Sequence, residues 1–273
     1  MEEAPPLREV LARAGVAADK RLGQHFLFDL NICRKIAGLA GPLGGATVIE
    51  VGPGPGGLTR ALLEAGAEVI AIEKDARFVA ILEDLATGAE GRLRIVRADA
   101  LRVDEAALLG PAAAASVVAN LPYNIATPLL VKWLTGRFRP GRMTLMFQKE
   151  VAQRIVANPG GGAYGRLAVL AGALCEARIV MNLPPRAFTP PPKVASAVVD
   201  LARRREVPCD ALIASLQAVT QKAFGQRRKM LRSALRTLGG AALCEAAGVD
   251  PDARAETLDI AQFLRLAQAH RAS

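Results

Sequence analysis

The chain reads as an α/β protein, a Rossmann-like parallel sheet that binds a nucleotide, followed by a small all-helical C-terminal domain. Three observations predict this. An apolar run at 47–51 passes straight into Gly52-Pro53-Gly54-Pro55-Gly56-Gly57 and then into a helical pattern, the strand, glycine turn and helix of nucleotide-binding sheets. Three later apolar runs end near a polar residue suited to a ligand: Glu73, Asp99 and Asn120. From residue 211 onward the pattern is helical and rich in Lys and Arg.

Composition sets the outer limits. With 273 residues, the chain has room for one large α/β domain and a smaller appendage. It is 51% apolar and 22% charged, with no fixed-period repeat, as expected of a globular protein. The acidic, Pro-bearing start is unlike a signal peptide, and the apolar stretch 167–175 is too short to span a bilayer. A soluble, cytoplasmic protein with no membrane partner is therefore expected. Cys33, Cys175, Cys209 and Cys244 lie far apart and form no C-x-x-C pair, which suits reduced thiols. With only His25 and His270 available, no His/Cys metal site is expected. The 35 Lys plus Arg against 26 Asp plus Glu leave a charge of +9, which favours a polyanionic partner such as nucleic acid.

In order, residues 1–28 form an N-terminal arm. It holds a short helical pattern on Leu7, Val10 and Leu11, then a basic stretch running from Asp19 through Gly23 to Phe26-Leu27. Asp29 is placed to cap a helix on Ile32, Ile36 and Leu39 that stops at Gly41-Pro42. After the glycine turn, Leu58, Leu62 and Leu63 share a helix face. The second strand ends at Glu73, 21 residues after Gly52, where such folds place the acid that grips a ribose diol. Gly52, Gly54 and Gly57 also satisfy G-x-G-x-x-G, so a dinucleotide site competes with a mononucleotide one. The third strand, 93–96, leads to Asp99, whose carboxylate can accept from an adenine amino group. The fourth, 116–119, delivers Asn120-Leu121-Pro122-Tyr123. Asn120 offers a neutral carbonyl acceptor, Pro122 pins the turn, and Tyr123 offers a flat face to a planar ligand.

Further on, a helix is expected over 124–134, a strand over 143–147, a helix over 150–156 and strands over 180–183 and 197–201. Residues 184–194 read as a stiff, polyproline-biased loop around Phe188, which can serve as a core anchor or as a stacking platform. Arg203-Arg204-Arg205-Glu206 reads as the way out of the sheet, giving a domain at 29–204 and a helical one at 205–273. A helical wheel over 220–236 buries Phe224, Leu231 and Leu235 and gathers cations on an adjacent flank. Lys222, Arg227, Arg228, Lys229, Arg232 and Arg236 form the expected phosphate-contacting ridge.

Taken together, Gly23-Gln24-His25-Phe26-Leu27, Glu50-Val51-Gly52-Pro53-Gly54, Asn120-Leu121-Pro122-Tyr123-Asn124-Ile125, Gln148-Lys149-Glu150-Val151, Tyr164-Gly165-Arg166-Leu167 and Phe188-Thr189-Pro190-Pro191-Pro192-Lys193-Val194 resemble the ribosomal RNA adenine dimethyltransferases, and most of all those acting on the small subunit. The likeness runs from about residue 19 to the end. It implies S-adenosylmethionine as methyl donor and the seven-stranded sheet of class I methyltransferases. It also implies two adjacent adenines near the 3′ end of 16S rRNA as substrate, each becoming N6,N6-dimethyladenosine, with an added part in small-subunit biogenesis.

By the same resemblance, His25, Leu27, Gly52, Gly54, Glu73, Asp99 and Asn120 line the cofactor site. Asn120, Leu121 and Pro122 direct the adenine nitrogen, and Tyr123 and Phe188 sandwich the extruded base. The family usually carries Asn where this chain has His25; imidazole can still donate a hydrogen bond there, with different reach and charge. Neither metal, covalent intermediate nor dedicated general base is expected, and the chain is expected to act as a monomer. A nicotinamide dehydrogenase would leave Asp99, the Asn120–Tyr123 turn and the basic helix without use. A large-subunit methyltransferase of the antibiotic-resistance type and a non-catalytic assembly factor on the same fold stay open.

Overall fold

Apolar runs too short for helices and bounded by turn residues become the strands of one sheet. The computed structural model describes residues 5–16, 24–109 and 115–272. The start of the arm (1–4) and its basic stretch from Asp19 to Gly23 lie outside them. In chain order the elements begin α1 (Leu7–Arg13), β1 (Phe26–Leu27), α2 (Leu30–Leu39), β2 (Thr47–Val51), α3 (Gly57–Glu64), β3 (Glu68–Glu73) and α4 (Ala76–Thr87). They continue β4 (Leu93–Arg97), α5 (Glu105–Leu109), β5 (Ala115–Asn120), α6 (Tyr123–Thr135), β6 (Arg142–Gln148) and α7 (Lys149–Ile155). Then come α8 (Arg166–Leu174), β7 (Cys175–Leu183), β8 (Phe188–Thr189), β9 (Ser196–Arg203), α9 (Asp210–Gly225), α10 (Leu231–Ala234), α11 (Gly240–Ala246) and α12 (Ile260–Ala272).

Seven strands form one sheet in the order β4-β3-β2-β5-β6-β9-β7. The pairs from β4 through β6 are parallel, and β9 joins β6 antiparallel. Strand order reverses between β2 and β5, the switch point at which open α/β sheets bind ligands beyond their carboxyl ends. The register Val48↔Val69 and Val48↔Ser116 keeps β2, β3 and β5 level, so their carboxyl ends share one edge. Val48, Ile49, Val117 and Val118 are fully buried, as a strand covered on both faces requires.

The chain falls into two compact units. The first contains residues 1–133, 137–152 and 178–202. It is pinned internally by ion pairs that hold little-exposed carboxylates: Asp200 accepts from Arg142 at 2.7 Å, and Glu105 accepts from Lys132 and from the Trp133 indole. The second contains 134–136, 153–177 and 203–273. There α8, α9 and α12 pack together, with Tyr164, Phe224 and Phe263 in ring contact. Among the described residues no helix is long and apolar enough to cross a membrane. Nor does any group of three or more His, Cys, Asp or Glu there form a metal site.

Three local expectations change. Strand β7 begins at Cys175, five residues before the expected start, because the charged alternation through Glu176 and Arg178 masks a sheet-edge strand. The loop expected around Phe188 contributes β8, which pairs antiparallel with β1 of the arm. The wheel over 220–236 is not one helix. After α9 ends at Gly225, Leu231 and Arg232 give their N–H groups to Ala253 and Pro251, and Met230 bridges to Arg254. Leu231 and Leu235 are nonetheless fully buried.

The Asp29 cap forms as its residue type dictates, its carboxylate accepting from Asn31 and Ile32 N–H. Asp29→Ala should lower unfolding stability by about 1 kcal/mol, read as a lower urea midpoint with unchanged slope.

Candidate active site

Beyond the carboxyl ends of the central strands lies a cavity of about 490 Å³, within the rough 300–1,000 Å³ span of small-molecule sites. Its floor is the glycine turn. Gly52 (φ +67°) and Gly54 (φ +55°) occupy left-handed backbone, and a Cβ at Gly52 would stand 3.1 Å from the Pro122 ring. A Cβ at Gly54 would stand 2.9 Å from the Phe26 ring. Both positions therefore need glycine for space as well as for conformation, and the Asn120–Tyr123 turn seats directly on the loop.

Glu73 ends β3 in an ordered pose. One carboxylate oxygen accepts the Lys74 and Asp75 N–H groups at 2.8 and 2.9 Å, and the other accepts Gly54 N–H at 3.2 Å. Burial raises its pKa, against the pull of those three donors. Asp99 accepts Leu101 N–H on one oxygen and the Lys74 ammonium, 2.9 Å away, on the other, and the Lys74 bond holds its carboxyl below the usual range.

The amide nitrogen of Asn120 donates to the His25 carbonyl at 3.1 Å. A carbonyl only accepts, so this contact fixes the amide's orientation and leaves Oδ1 as an acceptor. His25 Nδ1 lies 2.7 Å from the Pro190 carbonyl and must carry the proton. The donor role expected of this imidazole is thus taken up by Nδ1 inside the protein. The His25 ring also stacks on Tyr123, centroids 5.5 Å apart, and the Tyr123 hydroxyl bonds Ser196 Oγ at 2.6 Å.

His25, Leu27, Gly52, Gly54, Glu73, Asp99, Asn120, Leu121, Pro122 and Tyr123 all line the cavity. Phe188 does not: it is 3% exposed and packed in the core with Leu27 and Leu183, which favours the anchor over the stacking platform. The six cations of the expected ridge all fall in the second unit, on α9, α10 and the turns beside them. Arg227 is bonded to Glu256 and the Gly162 carbonyl, and Arg232 to Asp252. Lys222, Arg228, Lys229 and Arg236 are exposed.

Among the cavity residues that sequence reasoning passed over are Lys74 and Glu50. Lys74 left no signal, whereas Glu50 left one: a carboxylate in the middle of an apolar strand. Glu50 is 1% exposed, accepts from Thr59 Oγ1 at 2.6 Å, and burial pushes its pKa from 4.5 up to about 8. A folded-state pKa raised in this way favours folding fully below about pH 4.5 and ceases to do so as pH climbs through about 8. Glu50→Gln, which mimics the protonated form, should remove this share of the pH dependence. Urea unfolding of both proteins should show the parent losing stability relative to the variant from about pH 5 to pH 8.5.

A family model described as "Ribosomal RNA adenine dimethylase" matches residues 15–271. The chain is 66% identical over 252 residues to "Ribosomal RNA small subunit methyltransferase A" of Caulobacter vibrioides, covering 92% of this chain and 97% of that protein. It is 60% identical over 269 residues to the protein of that name in Phenylobacterium zucineum, covering 98% and 94%. Among solved structures, a dimethyladenosine transferase from Plasmodium falciparum aligns with a TM-score of 0.73 at 27% identity, over 89% of this chain and 96% of that one. The 23S rRNA methyltransferase ErmE aligns at 0.67 and 28% identity, over 89% and 98%. Matched along nearly its whole length, this chain belongs to the ribosomal RNA adenine dimethylase family.

Proposed function

We propose that the chain transfers methyl groups from S-adenosylmethionine to N6 of two adjacent adenines near the 3′ end of 16S rRNA, giving N6,N6-dimethyladenosine in the small ribosomal subunit. One observation carries this reading. The ordered series Gly52, Glu73, Asp99 and Asn120 surrounds a single cavity in a chain 66% identical to a small-subunit methyltransferase.

The cavity residues suit the adenosyl donor. Gly52 and Gly54 leave the floor free of side chains, Glu73 presents a carboxylate for a ribose diol, and Asp99 an acceptor for the adenine amine. When bound, S-adenosylmethionine supplies an electrophilic methyl group on a sulfonium. Asn120 Oδ1 and the Leu121 carbonyl would accept the N6–H bonds of the target adenine and so aim its weakly nucleophilic nitrogen. Pro122 holds that turn, and Tyr123 offers the ring on which an extruded base stacks. Phe188 enters as the anchor of the Pro190 segment. A neutral Asn120 adds no fixed charge beside a sulfonium whose own charge vanishes on transfer. Positioning, rather than proton transfer, is the main source of rate.

In this reading residues 1–28 are an arm over the cofactor, 29–204 the catalytic domain, apart from 134–136, 153–177 and 203–204, which belong to the second compact unit, and 205–273 an RNA-contacting helical domain. There Lys222, Arg228, Lys229 and Arg236 contact phosphates, with Arg227 and Arg232 beside them. The work belongs in the cytoplasm, where ribosomes are assembled, and extends to small-subunit biogenesis.

The test is methyl transfer from labelled S-adenosylmethionine to small subunits lacking dimethyladenosine, with large subunits in parallel. Label recovered as N6,N6-dimethyladenosine in 16S rRNA supports the proposal. Label in 23S rRNA would move the chain to the activity named for ErmE, and cofactor binding without transfer to an assembly role. Glu73→Gln should weaken cofactor binding by about ten- to a hundredfold, the worth of a hydrogen bond to a charged group. Asn120→Ala should lower kcat by about 10²–10³.

A further inference from the structure

Lys74 stands between the two carboxylates assigned to the adenosyl group. Its backbone N–H donates to Glu73 Oε1 at 2.8 Å, which holds the residue beside the proposed ribose acid. Its side chain then reaches from the end of β3 to the end of β4, placing the ammonium 2.9 Å from Asp99 Oδ2. The other Asp99 oxygen already accepts Leu101 N–H at 3.1 Å. Both Lys74 and Asp99 line the cavity. The Lys74 side chain is 74% exposed and that of Asp99 29%, so the ion pair sits in water and is cheap to break.

A hydrogen bond from an ammonium to a carboxylate joins two opposite charges, whereas one from a neutral amine has only the acceptor's charge behind it, so the ammonium is the stronger donor. Each Asp99 oxygen thus already carries one donor, and an exocyclic amine arriving there must share Oδ2 with the ammonium or displace it. We propose that Lys74 is a specificity-determining residue that competes with the adenine amino group for Asp99, lowering affinity for adenosyl ligands while leaving nucleosides without that amine unaffected. This rests on the reading that Asp99 accepts the adenine amine. Because the pair is exposed, ionic strength weakens it, and adenosyl affinity should rise with salt.

Calorimetric Kd values would be compared for S-adenosylhomocysteine and its 6-deamino (purine ribosyl) analogue on the parent, Lys74→Met, Lys74→Gln and Asp99→Ala, at low and high salt. The thioether of both ligands is uncharged, so loss of Lys74 does not act through a sulfonium. Both Lys74 variants should bind S-adenosylhomocysteine about two- to fivefold more tightly than the parent, the span set by an exposed ion pair. They should bind the deamino ligand, which has neither donor nor acceptor at that position, as the parent does, and salt should tighten adenosyl binding to the parent alone. Unchanged adenosyl affinity in both variants, or equal tightening for both ligands, overturns the competition. If Asp99→Ala weakens only the adenosyl ligand while the Lys74 variants match the parent, the competition alone fails. If Asp99→Ala changes neither affinity, Asp99 does not hold the amine and the underlying reading fails as well.

Discussion

Pro122 lies 3.1 Å from where a Cβ of Gly52 would stand, and the rest of the site depends on that approach. It brings the turn that ends β5 onto the turn that ends β2, with no side chain between. The two strands are parallel neighbours in level register, so their carboxyl ends open on the same edge. Any residue but glycine at 52 would be strained at φ +67° and would also push Pro122, and with it Asn120 and Tyr123, off the loop. The tight packing of strand ends thus aligns the floor proposed for the adenosyl group with the turn proposed to aim the target adenine.

Electrostatics at this edge are sorted by depth. Glu50 and Glu73 are buried and carry raised pKa values, whereas Asp99, nearer solvent and bonded to Lys74, is held low. Glu73 meets the cost of burial with three backbone N–H donors, Glu50 with one hydroxyl. The least-solvated carboxyl is therefore the one most ready to hold a proton, and the charge facing a ligand concentrates on Glu73 and Asp99.

The arm completes the site from the opposite side of the sequence. Pairing of Phe26 and Leu27 with Thr189 and Phe188 fixes His25 beside Pro190, and its backbone carbonyl then orients the Asn120 amide. His25 meets Asn120 through its backbone carbonyl, a contact any residue could make, and meets Pro190 and Tyr123 through its ring, contacts that depend on the side chain.

Much of this molecule was legible from residues alone. Strand, glycine turn and helix follow from apolar periodicity and from the conformations only glycine adopts. The polar residues closing the strands follow from where open sheets bind ligands, and the Asp29 cap from its short acceptor side chain. These are local rules, acting over a few residues, and sequence states them directly. The β1–β8 pair joins residues more than 160 apart, α8 packs with α9 and α12 although it precedes β7, and the helix expected over 220–236 breaks because loop 250–254 takes up its backbone donors. Phe188 as a buried anchor, Glu50 as a raised carboxyl and Lys74 on Asp99 likewise depend on which distant atoms share a surface. Local conformation and the kind of chemistry were determined by the sequence; partners, burial and protonation were decided by tertiary packing, because each depends on neighbours that the order of residues does not name.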